Sequence, residues 1–214
     1  MTTTEQKSPK LRMDLPPGFV GMPVSGDDET NAGYAWVVGE RVAGSIDKTA
    51  QQFGSYLMAL APKLKENGIR LVGKFAVGDT PEYVATLTMA VSRWPDADPE
   101  LLASKRESVA GALVAAYLES HPEADARLVR LPIGPAMAAV EAGEFRLPPA
   151  YTGLDETVVR PEVRAEYQIP LPDGESVLIL AVAAQSETGW PAIAEQTAVV
   201  AHSVRMDLDG EKDA

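Results

Sequence analysis

His121 and His202 are the only imidazoles in the chain, so serine-type catalysis would need one of them beside a hydroxyl. His202 directly precedes Ser203 in a segment that reads as helix, and adjacent residues on a helix do not face each other. His121 stands before Pro122 at an expected helix end, where a cationic ring complements the helix dipole. No Gly-x-Ser-x-Gly elbow occurs. With no cysteine, thiol nucleophiles, disulfides, zinc fingers and iron–sulfur clusters are excluded.

Carboxylates gather in loops at Asp27-Asp28-Glu29 and around Asp96 and Asp98. Asp98 is better used as a helix cap, because Pro99 and Glu100 then occupy the first helical positions they favour. Asp207, Asp209, Glu211 and Asp213 lack the twelve-residue loop and closing Glu of a calcium hand. Neither a phosphate-loop ending nor a dinucleotide glycine fingerprint is present. The reading is therefore of no catalytic, cofactor-binding or metal-ligating residues, and of no enzyme.

Two residue sets remain as candidates for binding. Arg127, Arg130 and Arg164, with Arg146 and Arg160 nearby, would hold an anion bidentately if they met on one sheet face. The competing use is pairing with acids such as Glu141, Glu144 and Glu162. Trp36, Trp94 and Trp190 stand at element ends, where an indole either seals a core edge or anchors a partner.

The charge balance narrows the partners. Asp and Glu number 31 against 19 Lys and Arg, a formal net charge of −12, which argues against nucleic acid and toward a basic partner. Much of the excess sits in the Asp27–Glu29 and Asp96–Glu100 loops and the Asp207–Asp213 tail. The longest membrane candidate, Leu178–Ala184, is far short of the roughly 20 apolar residues of a spanning helix. Residues 1–10 carry no apolar run, and a soluble, cytoplasmic protein is expected.

The elements that would position these residues follow from periodicity. Residues 1–14 read as a disordered tail, 15–208 as a single domain and 209–214 as an acidic tail. Leu11–Val24 is extended, with Pro16 and Pro17 forbidding helix. A long helical pattern spans Tyr34–Asn67, kinked by Pro62 and stopped by Gly68. Ile69, Leu71, Gly73, Phe75 and Val77 alternate as one strand face, and Tyr83–Val91 forms the second strand of a hairpin. A helix from Asp98 to Ser120 turns Leu102, Val109, Leu113, Ala116 and Tyr117 inward. Arg127–Ile133 and Ala136–Ala142 pair around Gly134-Pro135, and Glu144–Pro161, with three prolines, is irregular.

Val163–Pro170 is half-buried, with Arg164, Glu166 and Gln168 on its polar side. Val177–Ala184 is apolar on both faces and belongs at the sheet centre. Trp190-Pro191 opens a helix burying Ile193, Thr197, Val200 and Ala201, and Val204–Leu208 adds a short strand. The two Trp-Pro pairs, Trp94-Pro95 and Trp190-Pro191, raise the idea of a duplicated strand–strand–helix unit. The fold class is α+β: one antiparallel sheet of six to seven strands with helices packed on it.

Tyr167-Gln168-Ile169-Pro170, the Pro172-Asp173-Gly174 turn, Val177-Leu178-Ile179-Leu180 and the helix from Trp190 to His202 followed by Ser203-Val204-Arg205 resemble the C-terminal half of the Mog1/PsbP-like fold. Leu15-Pro16-Pro17-Gly18-Phe19-Val20 and the long helix resemble uncharacterised cytoplasmic actinobacterial proteins. The resemblance implies an interaction module rather than an activity, and carries no functional residue across. The expected function is a non-catalytic accessory protein, chaperone-like or immunity-like, bound to another protein. An anionic-metabolite binder using the central arginines is the alternative, and a carboxylate-dependent hydrolase the remote one.

Overall fold

The computed structural model describes residues 10–24, 61–78, 83–93, 103–147, 149 and 155–207. Along them run β1 (Lys10–Arg12), β2 (Val20–Pro23), β3 (Ile69–Ala76), β4 (Val84–Arg93), α1 (Arg106–Ser120), β5 (Asp125–Leu131), β6 (Gly134–Leu147), β7 (Val158–Pro170), β8 (Ser176–Ala184), α2 (Trp190–Ser203) and β9 (Arg205–Asp207). A helical stretch over residues 61–66 precedes β3. The fold is α+β. Seven strands form one antiparallel sheet in the order β2-β3-β4-β8-β7-β6-β5, and β1 pairs with β9 apart from it. Among the described residues no helix is long and apolar enough to cross a membrane.

β8 is the middle strand, as its two-sided apolar sequence requires. Directly paired residues in an antiparallel sheet share a face, so the register sorts every side chain. Leu178, Leu180, Val182 and Ala184 of β8 share one face with Ala85 and Leu87 of β4, Phe75 of β3, Ala165 and Ile169 of β7 and Ala136 of β6. α2 covers this face. Its Ile193, Thr197, Val200 and Ala201 follow the i, i+4, i+7, i+8 spacing of a single stripe, and all four are buried. Pro191 suits its first turn, where a missing N–H leaves no bond unmade. Thr197 donates its hydroxyl to the Ile193 carbonyl at 2.7 Å, so its burial strands no polar group.

α1 lies on the opposite face, where Tyr117 packs with Met137 and Ala139 of β6. It ends at His121, whose backbone leaves the helical region before Pro122, as proline disfavours the helical conformation in the residue before it. Gly68, with φ +72°, stops the helical stretch before β3 as the Asn67-Gly68 pair demands. Met22, Val24 and Ala61 form a smaller core with Leu64, Ile69 and Val72 on the α1 face.

Several expectations are corrected. Lys10–Arg12, placed in the tail, is a strand, because Leu11 and Met13 add to the α2-face core while Lys10–Arg12 pair with Arg205–Asp207. The β5–β6 turn is Pro132-Ile133, two residues before the expected Gly134-Pro135. Ala116 is exposed, and Ala110 takes the inward place beside Val109 and Tyr117. A register shift between Ile69 and Leu71 turns Ile69 away from the face shared by Leu71, Gly73 and Phe75. β6 and β7 run deep into the segment expected to be irregular, Glu144 opposite Pro161 and Leu147 opposite Val158. Pro161 fits because β8 ends opposite Val163, so one side of β7 there asks for no N–H. The hairpins β3–β4 and β7–β8 are each followed by a helix, but α1 and α2 cover opposite faces. The expected helix over 34–60 and the Asp98 cap lie outside the described residues.

Candidate functional site

The α1 face carries the polar chemistry of the molecule. β7 sets Arg160, Glu162, Arg164, Glu166 and Gln168 on it at every second position. Glu166 is only 4% exposed. Its carboxylate accepts from the Arg164 guanidinium and, at 2.7 Å, from the Gln168 amide. Both bonds stay within one strand face, so the charge is buried already partnered. Glu141 of β6 stands opposite Arg164 in register. From above, α1 brings Tyr117, whose phenol is pushed up to about 12 by burial first, then by Glu166 and Glu141. Burial likewise raises the Glu162 carboxyl, with Arg164 opposing and Glu141 adding to the rise.

Beside this row opens a cleft of about 800 Å³ lined by Lys74, Val84, Thr86, Phe145, Glu162, Ala183, Ala184, Gln185 and Ser186. The register explains it. Lys74 pairs with Thr86, Thr86 with Ala183, and Ala183 with Arg164, one row across four strands. Small side chains at its centre leave a floor between Lys74 on one side and the β7 charges on the other. Such a volume is in the range of small-ligand sites.

α1 is tied down by Arg106, which donates to the Pro170 carbonyl through Nε (2.9 Å) and an Nη (2.7 Å), and to the Ile133 carbonyl (2.8 Å). Burial lowers its guanidinium from the usual value, while Asp173 opposes that. Gly134, φ +139°, makes the space: a Cβ there would lie 2.6–2.7 Å from the guanidinium atoms.

The three candidate arginines do not meet. Arg127 pairs with Ala138, which pairs with Tyr167, and so lies on the α2 face. Arg130 and Arg164 share the α1 face but sit opposite Pro135 and Glu141, six residues apart on β6. Arg130 reaches Glu107 of α1 at 3.5 Å, and Arg146 pairs with Glu144 at 2.8 Å. Trp190 is partly buried and packs on the main core at the start of α2; Trp36 and Trp94 lie outside the described residues. His121 caps α1, its N–H on the Tyr117 carbonyl at 2.8 Å and its ring stacked on Tyr117 at 4.3 Å. Its Nδ1 lies 3.1 Å from the Ser120 hydroxyl, which also bonds the Ala116 and Tyr117 carbonyls. His202 and Ser203 turn to different carbonyls, those of Ala198 and Val200. Among the described residues no group of acids and histidines is arranged to hold a metal.

Sequence reasoning missed Glu166, Arg106 and the cleft. The alternation on β7 was visible but reads as a solvated side, and Ala181 and Ala183 on β8 were the sign of a shallow floor facing it.

No protein-family model matches the chain, and no curated protein matches it significantly. Among solved structures it is similar to LpqN, involved in cell envelope biogenesis of Mycobacterium tuberculosis, at 11% identity over 96% of this chain and 87% of that one, with a TM-score of 0.42. A likeness so shallow brings no residue role across.

Proposed function

We propose that the chain is a non-catalytic accessory protein of the cytoplasm that binds another protein, and that the outer part of the β6–β7 hairpin is its contact. The observation behind this is the way that hairpin outruns its neighbours. β5 ends opposite Val140 and β8 ends opposite Val163, yet β6 and β7 stay paired out to Leu147 and Val158. A two-stranded ribbon is marginal in water by itself. On the α2 side the hairpin carries Val140 (40% exposed) at its base, where β5 ends, and Val159 (46% exposed) in the ribbon, along with Ala142 and Pro161. Exposed apolar side chains grouped on one element mark contact surfaces. The net charge of −12 favours a basic partner. A cysteine-free chain suits a reducing compartment. The resemblance to Mog1/PsbP-like interaction modules points the same way. The non-catalytic reading is supported by the one Ser–His contact among the described residues being turned into a helix end: the Ser120 hydroxyl beside His121 bonds the Ala116 and Tyr117 carbonyls, the His121 ring also meets the Tyr117 carbonyl, and His202 meets that of Ala198.

A pull-down from the producing organism with wild type and with Val140→Ser/Val159→Ser tests the reading. Both positions are exposed, so the variant should melt with the wild type. The expected result is a protein retained by the wild type and lost by the variant. Identical capture by both, or none above the bare matrix, would count against the arm. An anion site built from Arg127, Arg130 and Arg164 finds no support in the register.

A further inference from the structure

The cleft on the α1 face has opposite charges on opposite walls. Lys74 stands on β3 and Glu162 on β7, with β4 and β8 between them. Three interstrand steps set these walls about 14 Å apart. Between them lie two hydroxyls, Thr86 and Ser186, and the Gln185 amide, while Val84 and Phe145 supply apolar sides. Ala183 keeps the floor low. The lining thus offers a cation, an anion, hydrogen-bonding groups suited to amides, and room for small apolar side chains. An extended peptide covers roughly 3.3–3.6 Å per residue, so about three to four residues bridge the walls.

We propose that this cleft binds a short zwitterionic peptide, its terminal carboxylate toward Lys74 and its terminal ammonium toward Glu162. Peptide amides between the termini meet Thr86, Gln185 and Ser186, and the side chains lie against Val84 and Phe145. Glu162 suits the ammonium because its carboxyl is partly desolvated and shares its surroundings with Arg164 and Glu141, with Lys74 across the cleft. An incoming cation restores the stability of its charged form. The site faces away from the apolar side of the hairpin arm and does not depend on a protein partner there.

Titration of the isotope-labelled protein with trialanine and tetraalanine, followed by heteronuclear NMR, tests the site. Saturable shifts are expected at Thr86, Ala183, Gln185 and Ser186. N-acetylation or C-amidation of the peptide should raise Kd about tenfold each, the worth of one partly exposed charged contact. Glu162→Gln should abolish the effect of acetylation, and Lys74→Met that of amidation, with unchanged melting of both variants. Each capped peptide then has its own matching wall. Binding that is indifferent to both caps, shifts confined to other residues, or no saturable shift at all would overturn the proposal. None of these outcomes bears on the partner captured by the arm.

Discussion

Arg106 donates to the carbonyls of Ile133 and Pro170, so one side chain fixes α1 to the ends of two hairpins. Replacing it with Ala leaves those carbonyls without their charged donor, which should lower stability by about 2–3 kcal/mol in denaturant melts. Gly134→Ala adds a Cβ against the guanidinium at a φ of +139° and should also destabilise. The two changes share one space, so Gly134→Ala should cost less in the Arg106→Ala background than in the wild type. Additive costs would separate the glycine from the arginine. Tyr117 allows a second test at this scale. Its phenol is raised from 10.0 to about 12 in the folded chain, so the unfolded state loses that proton first. Its contribution is intact below pH 10 and disappears as pH rises toward 12. Phenolate absorbance, with Tyr117→Phe as the subtraction, should show one late-ionising tyrosine. Glu166→Gln should bring it only part of the way back, because burial is the larger cause.

Strand and helix identity was written most plainly where both faces of an element agree. Val177–Ala184 is apolar on both sides and became the middle strand, and the stripe Ile193, Thr197, Val200, Ala201 became the buried side of α2. Legibility failed where a residue type has two uses. Pro161 reads as a breaker, yet it fits a strand with a neighbour on one side only. Glu166 reads as solvated because nothing in its alternation says that a helix will cover that side. The arginines read as a cluster because sequence distance does not reveal sheet face: Arg127 and Arg164 are separated by the sheet itself. Gly21 and Gly73 show a cue that only the fold interprets. They pair across β2 and β3, and the Phe19 ring lies against both where side chains would stand. Gly73→Ala should therefore force the ring off the sheet, costing about 1–3 kcal/mol. The loss should appear as faster amide exchange in Val20–Pro23 than in β8, whose amides are expected to be the last to exchange.

At the scale of the whole molecule, β1 and β9 join the two extremes of the described chain. Leu11 faces Met206 in that ladder, both packed on the main core, and Arg205 reaches Asp14 at 3.1 Å. Leu11→Ala and Met206→Ala should each lower the unfolding free energy by about 1–2 kcal/mol for partial burial. The double variant should fall short of their sum because they share a contact. The ladder has a mechanical meaning as well. Lys10 is paired with Asp207, so both chain extremes leave from the same end of an antiparallel pair. Tension applied through them loads these hydrogen bonds one after another instead of together. Pulled by its ends, the protein should open like a zipper, β1 and β9 parting first at low force, with the seven-stranded sheet giving way only in a later and stronger event.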